Sequence, residues 1–300
     1  MYLIIPDIHA DLNRLKNSMT ALGDEAPFAF LGDFIDAGAE VQNSDDRAVL
    51  CLAKQMIDRG DAISVMGNHE LNAILYHRRD AKGHPLRAHT KKNKDQHRSF
   101  VAQFGTGTTE ALEWTEWFLH AMPLWHDLGQ LRLAHACWSD RAMAIVRERR
   151  PDGFLHGDDL EEIAEESTAF GQAVKAIVSG PEARLPDPYS FRDFGNHVRR
   201  EVRIAWWRND ADTWRNVALS VPNADELPDA PLPADVQSEV YLSDQPPVLV
   251  GHYKMKGRPT LEKGNAMCLD YPEMPCGYRW RGENVLNSEN LIAVRHRAEV

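Results

Sequence analysis

The stretch MGNHE, residues 66–70, directly follows the apolar run AISV at residues 62–65. The run predicts a buried strand, and the chain places an amide, an imidazole and a carboxylate side by side where that strand ends. A turn at this point needs only Gly67 and Asn68, because both residues tolerate the backbone angles of a turn. His69 and Glu70 therefore require an explanation in chemistry and not in packing.

The same pattern occurs at five places, where an apolar run is followed closely by Asp, His or Asn. The runs are residues 3–5, 28–31, 63–66, 131–133 and 248–250. The polar residues that follow them are Asp7, His9, Asp33, Asp36, Asn68, His69, His135 and His252. Any one of these groups alone could be a turn, a helix cap or a histidine in the core. Because open α/β sheets bind ligands at the carboxyl ends of their strands, five such groups predict one shared site.

The first third of the chain alternates between predicted strands and predicted helices. Strands are predicted at residues 2–5, 28–31 and 63–66, and helices at residues 12–22, 47–59 and 71–77. Further along, one helix is predicted at residues 101–120, strands at 131–134 and 248–250, and short strands within 265–300. Alternation of strand and helix is typical of a layered sheet, so the predicted fold class is α/β.

Residues 139–245 interrupt this alternation. They contain acidic helical material at 158–166, proline-rich turns, and a run that includes Trp206 and Trp207. Residues 221–233 carry four prolines and are predicted to be a linker. The predicted organisation is a main domain made of residues 1–138 and 246–300, with residues 139–245 inserted as a largely helical and irregular cap.

Composition limits the classes of partner. The 300 residues are 43% hydrophobic and 26% charged, which is typical of a globular protein, and the net charge is −11. This charge argues against general binding to nucleic acids or membranes, although bound cations can still attract a phosphate substrate. The four cysteines form no CxxC pair, and the apolar run at the N-terminus is too short for a signal peptide. We therefore predict a soluble cytoplasmic protein with reduced thiols, and nothing in the sequence predicts its oligomeric state.

The polar residues suit divalent cations. Carboxylates favour Mn²⁺ or Fe, and imidazoles favour Zn²⁺, Fe or Mn²⁺. In its order, the set resembles the calcineurin-like metallophosphoesterases, and most closely the branch of phosphoprotein phosphatases and bacterial diadenosine tetraphosphatases. The motifs that carry the resemblance are Asp7-x-His9, Gly32-Asp33-x-x-Asp36, Gly67-Asn68-His69-Glu70, His135 and Gly251-His252. The resemblance covers roughly residues 1–138 and 246–280. It implies a sandwich of two mixed β-sheets flanked by helices.

The resemblance also implies a role for each residue. It implies two divalent cations, with Mn²⁺ expected and Fe or Zn²⁺ as alternatives. The implied ligands are Asp7 and His9 for the first cation, Asp33 for both, and Asn68, His135 and His252 for the second. A hydroxide between the two cations is the implied nucleophile. The implied catalytic residues are His69, as general acid or phosphate clamp, and Asp36, which fixes its tautomer. Glu70 is implied to support the turn.

Two departures from the family pattern concern the substrate. The arginine that follows Asp36 in the phosphatase branch, where it grips phosphate, is replaced here by Ala37. The further histidine that other branches place two residues beyond Gly-His is replaced by Lys254. Phosphate-binding cations are therefore predicted in the insertion, with Arg199, Arg200 and Arg203 as the candidates and the basic segment 78–98 as the next choice.

Other readings of the same residues remain open. Trp206 and Trp207 could stack on a base, or they could belong to the core beside ordinary surface arginines. The segment 78–98 could be a solvated loop and helix face. The pair His126-Asp127 and the segment 156–159, which reads HGDD, faintly resemble metal phosphohydrolase motifs. Both lack companion ligands and are predicted to be loop residues.

The sequence thus predicts a metal-dependent phosphoesterase whose substrate is a small phosphorylated metabolite or a nucleotide polyphosphate. The cap should restrict access, which disfavours the alternative of a serine/threonine protein phosphatase. A second alternative is a non-catalytic module that keeps the metal-binding fold for interaction with partners. The complete ligand set, together with His69 and Asp36, disfavours that alternative.

Overall fold

The computed structural model describes residues 1–38, 40–193, 195–208, 210–237, 241–262 and 264–294. The helices are α1 (Leu12–Leu22), α2 (Asp46–Asp58), α3 (Asn68–His77), α4 (Lys91–Gln96), α5 (Arg98–Phe104), α6 (Thr109–Ala121), α7 (Asp140–Arg147), α8 (Leu160–Glu165), α9 (Ala169–Ser179), α10 (Trp214–Val217) and α11 (Ala234–Gln237). The strands are β1 (Tyr2–Ile5), β2 (Phe28–Phe30), β3 (Ala62–Ser64), β4 (Trp125–Asp127), β5 (Arg132–Ala134), β6 (Glu182–Arg184), β7 (Phe191–Arg192), β8 (Val198–Arg199), β9 (Glu201–Ile204), β10 (Ala218–Leu219), β11 (Val248–Val250), β12 (Ala266–Cys268), β13 (Cys276–Trp280) and β14 (Leu291–Ala293).

Two mixed sheets form the main domain. The first has the strand order β14-β13-β1-β2-β3, in which β1 and β2 are parallel and β13 is antiparallel to β1. The second has the order β12-β11-β5-β4, in which β11 is parallel to β12 and β5 while β4 is antiparallel to β5. The α/β fold class and the sandwich of two mixed sheets flanked by helices are therefore confirmed.

The two sheets pack face to face, and this packing explains the continuous apolar runs of the sequence. Ile4 of β1 belongs to a core shared with Leu133 of β5 and Leu249 of β11. Its neighbours Leu3 and Ile5 point to the opposite face, where they join a core with the helices. Because both faces of β1 are buried, its residues are apolar without alternation.

Three local predictions need correction. The helix predicted at 101–120 is two helices, α5 and α6, because the chain turns at Gly105 and Gly107 with φ of +78° and +65°. The segment 78–98 is not only a solvated surface, since His97 at its end is fully buried. His126 and Asp127, predicted to be loop residues, lie in β4, where His126 Nε2 donates to the carbonyl oxygen of Ser64 at 3.1 Å.

The insertion divides into two parts by its packing. Helices α7 and α9, which lie within the predicted cap, bury Met143, Val174 and Ile177 in the core of the main domain. A separate small core begins after them; it contains Leu185, Phe191, Val202, Ile204, Trp214, Val217, Leu227, Leu232 and Val236. The segment 221–233 is not a linker, because two of these core residues lie in it. We propose that the cap is confined to about residues 181–237 and that residues 139–180 belong to the main domain.

Trp206 and Trp207 join the cap to the main domain. Both side chains are fully buried, and Trp206 Nε1 donates to the carbonyl oxygen of Ala136 at 2.9 Å. Trp207 Nε1 donates to Glu262 Oε2 at 2.8 Å. The hypothesis that these indoles stack on a base of the substrate is therefore wrong, because neither ring is accessible.

The cysteines are free thiols, as the absence of a CxxC pair in the sequence predicts. Cys137, Cys268 and Cys276 are buried free thiols, and Cys51 is an exposed one. Among the described residues, no helix is both long enough and apolar enough to cross a membrane.

Replacement of Trp206 by alanine should lower the free energy of unfolding by roughly 3–5 kcal/mol, because it empties a buried site at the join between cap and main domain. Urea denaturation followed by tryptophan fluorescence measures this change. Val198→Ala is the control, since Val198 is 58% exposed and its loss should change stability by less than about 0.5 kcal/mol. Unchanged stability in Trp206→Ala would contradict the packing role.

Candidate metal centre

The carboxyl ends of five strands meet at one edge of the sandwich. β1, β2 and β3 reach this edge from the first sheet, and β5 and β11 reach it from the second. The residues that these strands deliver there are the eight predicted ones, Asp7, His9, Asp33, Asp36, Asn68, His69, His135 and His252. Beside them opens a cavity of about 440 Å³ that Asp33, Asn68, His69 and His252 help to line. The structure thus brings the predicted ligands and catalytic residues together.

Asn68, His135 and His252 converge on one point. Asn68 Oδ1 lies 3.0 Å from His135 Nε2 and 2.7 Å from His252 Nδ1. His135 Nε2 lies 3.4 Å from Asp33 Oδ2. Because His135 Nδ1 donates to the carbonyl oxygen of Leu31 at 2.6 Å, the lone pair of the neutral imidazole is on Nε2 and faces the other oxygens. Electron pairs that converge in this way require a proton or a cation between them.

A second group forms around His9. His9 Nε2 lies 3.8 Å from Asp7 Oδ2 and 3.9 Å from Asp33 Oδ2. His9 Nδ1 donates to the carbonyl oxygen of Ile35 at 3.2 Å, so the lone pair is again on Nε2. That atom is buried and has no hydrogen-bond partner, and the same is true of His252 Nε2. A metal-binding histidine usually donates from one ring nitrogen to an oxygen, as His9 Nδ1 does to Ile35, and binds the metal with the other nitrogen.

Asp33 occupies the centre of both groups. Its Oδ1 accepts the backbone N–H of His69 at 3.0 Å, which leaves Oδ2 to face the imidazoles. Oδ2 lies between 3.4 and 3.9 Å from the Nε2 atoms of His9, His69 and His135. A carboxylate oxygen shared by two groups of donors is suited to bridge two cations.

The field of Asp33 governs the pKa values of the site. Burial lowers the pKa of His135, but Asp33 outweighs that effect and raises it to about 10. Burial and the nearby His69 lower the pKa of His9 to about 3, and burial with His135 holds the pKa of His252 well below its usual range. His9 and His252 are therefore neutral at pH 7, as ligands of a metal ion must be. The place beside His135 demands positive charge, which a proton or a metal ion can supply.

The donor set fits divalent cations. Two carboxylates, one amide oxygen and three imidazoles are ligands that Mn²⁺, Fe or Zn²⁺ accept. His9 Nε2, which faces Asp7 and Asp33, is buried without a hydrogen-bond partner, and such a group is costly unless something binds it. Among the described residues, the acid and histidine clusters able to hold a metal are His9, Asp33 and His69, and Asp33, His135 and His252.

The backbone around the site is strained. Residues with positive φ other than glycine include His9, Asp33, Asp36, His252 and Lys254, with values between +49° and +77°. Such conformations cost roughly 1–3 kcal/mol each and persist only where the surroundings impose them. Their concentration at these strand ends indicates that the fold gives up stability to aim these side chains.

Two glycines let the strands approach closely. A Cβ atom at Gly67 would collide with Asp33 Oδ1, and one at Gly251 would collide with Asp7 Oδ1. Glu70 holds the crowded turn together, because its carboxylate accepts the backbone N–H groups of Asp33, Phe34 and Gly67 at 2.8 to 3.1 Å. In the stretch 66–70, Gly67 therefore permits the close approach of the backbone to Asp33, and Glu70 fixes the conformation of the turn.

His69 occupies a different place from the other histidines. Its Nδ1 donates to Asp36 Oδ2 at 2.8 Å, and its Nε2 faces the cavity. Burial lowers the pKa of His69, but the carboxylates of Asp33 and Asp36 raise it to about 9. The imidazole is therefore protonated at neutral pH and can donate a proton from Nε2 to a group in the cavity.

The three candidate arginines are separated by the structure. Arg203 of β9 lines the cavity, whereas Arg199 and Arg200 do not. Arg199 Nε lies 2.8 Å from Asp193 Oδ2, and Arg200 Nη1 lies 3.0 Å from Asp187 Oδ1, both at the surface of the cap. Cavity residues that the sequence analysis did not assign to the substrate are Gln96, Ser220, Tyr253, Lys254 and Lys256. Of these five residues, Lys254 alone was distinctive in the sequence, because it stands where other branches of the family have a histidine.

The donor set at this sheet edge fits an enzyme that uses divalent metal ions. The family model of the calcineurin-like phosphoesterases matches residues 2–180, more than half of the chain, and the chain belongs to this family. It is accordingly a hydrolase that acts on phosphoester bonds, in a family that uses divalent metals. No curated protein matches the chain.

Several solved structures are similar to this chain. A metallophosphoesterase from Sphaerobacter thermophilus is 21% identical, with a TM-score of 0.32. The match covers 48% of this chain and 53% of that one, so this chain spans about half of that structure's length. A serine/threonine phosphatase from Saccharomyces cerevisiae is 12% identical, with a TM-score of 0.47 over 100% of this chain and 80% of that one. A cold-active protein-tyrosine phosphatase from a Shewanella species is 15% identical, with a TM-score of 0.44 over 98% of this chain and 80% of that one. At such identities, none of them identifies the substrate.

Asp33→Asn should abolish turnover and lower the metal content of both groups, because the bridging carboxylate loses its charge without a change of shape. Elemental analysis of the purified variant, together with a p-nitrophenyl phosphate assay, measures both effects. Asp11→Asn is the control, since Asp11 only accepts the backbone N–H of Arg14 at the start of α1. Two metals per chain with near-normal turnover in Asp33→Asn would refute the bridging role.

Proposed function

We propose that this protein hydrolyses a small phosphate ester or a nucleotide polyphosphate with the help of two divalent cations, with Mn²⁺ as the first candidate and Fe or Zn²⁺ as the alternatives. The observation that carries this proposal is the shared position of Asp33 Oδ2 between His9 and His135. Asp7 and His9 would hold one cation, Asn68, His135 and His252 the other, and Asp33 both. When bound, the cations would activate a water molecule as the nucleophile and neutralise the phosphoryl oxygens.

His69 and Asp36 would serve the leaving group. The Nδ1–H of His69 is held by Asp36, so the imidazole presents its Nε2–H to the cavity. The hydrogen bond from Nδ1–H to Asp36 favours the protonated ring, from which a leaving oxygen can take the Nε2 proton. The alternative role is a clamp on phosphate, which needs the same proton but no transfer.

Three cations from different segments would replace the arginine that is missing at Ala37. Arg203 of the cap lines the cavity opposite the strand ends, and Lys254 and Lys256 line it from the chain after β11. Arg203 Nε lies 3.7 Å from Glu182 Oε1, a distance at which the guanidinium keeps donors for a substrate. In a chain of net charge −11, a local cationic wall attracts an anionic substrate against the field of the whole protein.

The shape of the cavity favours a small substrate over a phosphoprotein. Its volume of about 440 Å³ suits a metabolite or nucleotide, and the cap contributes Arg203 and Ser220 to its wall. The alternative of a non-catalytic metal-binding module does not account for the hydrogen bond of 2.8 Å from His69 Nδ1 to Asp36 Oδ2, because neither residue belongs to the proposed ligand set. The free thiols support our proposal of a reducing, cytoplasmic environment.

His69→Ala should retain metal and lose roughly 100-fold or more in kcat on alkyl phosphates. The loss should be much smaller on p-nitrophenyl phosphate, because a good leaving group needs little proton donation. Steady-state kinetics on both substrates, with elemental analysis, measure this difference. Equal losses on both substrates would favour the clamp over the acid.

Arg203→Ala should weaken inhibition by inorganic phosphate and raise KM by about tenfold or more, because a charge-assisted hydrogen bond contributes roughly 1.5–3 kcal/mol. Arg199→Ala is the matched control, an arginine of the same cap whose guanidinium lies against Asp193. Phosphate inhibition constants measured at one ionic strength separate the two variants. An identical response of both arginines would remove Arg203 from the substrate site.

A further inference from the structure

A chain of hydrogen-bonded side chains continues from Asp36 away from the cavity. Asp36 Oδ1 lies 2.7 Å from His97 Nδ1, and His97 Nε2 lies 3.0 Å from His77 Nε2. This row of hydrogen bonds ends at His77 Nδ1, which accepts the backbone N–H of Gly107 at 3.0 Å. Asp36, His77 and His97 are all buried. The catalytic pair of His69 and Asp36 is therefore the outer end of a longer row.

The backbone N–H of Gly107 sets the direction of every bond in this row. An amide can only donate, so His77 Nδ1 carries a lone pair, and neutral His77 has its proton on Nε2. His77 thus donates to His97 Nε2, and His97 must carry its own proton on Nδ1, where it donates to Asp36. Burial, reinforced by the nearby His97, lowers the pKa of His77 to about 4, which agrees with a neutral ring.

Asp36 is held by both imidazoles at once. Its Oδ2 accepts from His69 Nδ1 and its Oδ1 accepts from His97 Nδ1, so the plane of the carboxylate is fixed. Its backbone is also fixed, with φ of +67° and an N–H that donates to Asp46 Oδ1 at 2.9 Å. Burial raises the pKa of Asp36, but the two histidines outweigh that effect and keep it ionised.

His97 itself has little freedom to move. Its ring stacks on Phe100 with centroids 4.8 Å apart and planes 17° apart, and it lies 5.0 Å from the ring of Tyr76. A ring locked in this way can hold a hydrogen bond at one geometry, which is the requirement for a group that supports a catalytic residue.

We propose that His97 and His77 are positioning residues, which fix the carboxylate of Asp36 and through it the tautomer and orientation of His69. Neither ring reaches the cavity, so both act only through Asp36. The inference rests on the proposed role of His69 as the group that meets the substrate. It adds that α3 and the start of α5 determine how well that imidazole is aimed.

His97→Phe keeps the aromatic stack and removes the donor to Asp36. We expect kcat to fall about 10–100-fold on an alkyl phosphate, with KM and metal content nearly unchanged. His97→Asn should recover most of that loss, because its amide nitrogen can donate from about the position of Nδ1. His89→Phe is the matched control, a histidine that stacks on Tyr76 at 3.8 Å but does not contact Asp36, and it should behave as wild type. A wild-type kcat in His97→Phe would overturn the proposal.

The double variant His69→Ala/His97→Phe tests whether His97 acts through His69. If it does, the second substitution changes kcat by less than about twofold in the His69→Ala background. A full additional loss there would overturn the proposal, since it would mean that His97 acts elsewhere. A wild-type kcat of His69→Ala on the alkyl phosphate would instead refute the proposed role of His69, so the two failures are distinguishable.

Nitrogen-15 NMR of the histidine rings gives a test that requires neither activity nor a variant. We expect His97 to carry its proton on Nδ1 and His77 on Nε2 in the intact protein at pH 7. Assignment of the His97 proton to Nε2, or a doubly protonated His77, would overturn the proposal even if every variant failed to fold.

Discussion

The buried carboxylate of Asp33 is the constraint on which the rest of the site depends. One of its oxygens is held by the backbone of His69, and the other faces three imidazoles at 3.4 to 3.9 Å. A charge buried in this way is unstable unless positive charge surrounds it. This negative charge raises the pKa of His135 and, together with Asp36, the pKa of His69, and it favours a divalent cation at the same place.

The main domain can tolerate that charge because two sheets hold it rigidly. Strand ends from both sheets converge on Asp33, and glycine at positions 67 and 251 permits the close approach. Glu70 then accepts three backbone N–H groups of the turn, which satisfies these donors in the strained conformation. Stability given up at the strand ends is recovered in the double-sided burial of strands such as β1.

Chemistry and recognition come from different parts of the chain. The proposed metal ligands and His69 lie at the ends of strands in the main domain, whereas Arg203 reaches the cavity from the cap. The buried Trp206 ties the cap to the main domain, so the guanidinium is placed by packing and not by a loose loop. Under the proposed function, this division would let the cap determine the substrate while the strand ends carry out the reaction.

The family resemblance implied the two mixed sheets, and the sequence by itself determined the α/β class and the eight residues at the strand ends. These are local signals, because an apolar run followed by a polar residue identifies a strand end without knowledge of its neighbours. Only the tertiary structure decided which cations face the cavity, that Trp206 and Trp207 are buried, and that helices α7 and α9 pack with the main domain. It also decided that His97 meets Asp36, 61 residues away along the chain. Such contacts depend on how distant segments cross, and no periodicity or motif in either segment records that crossing.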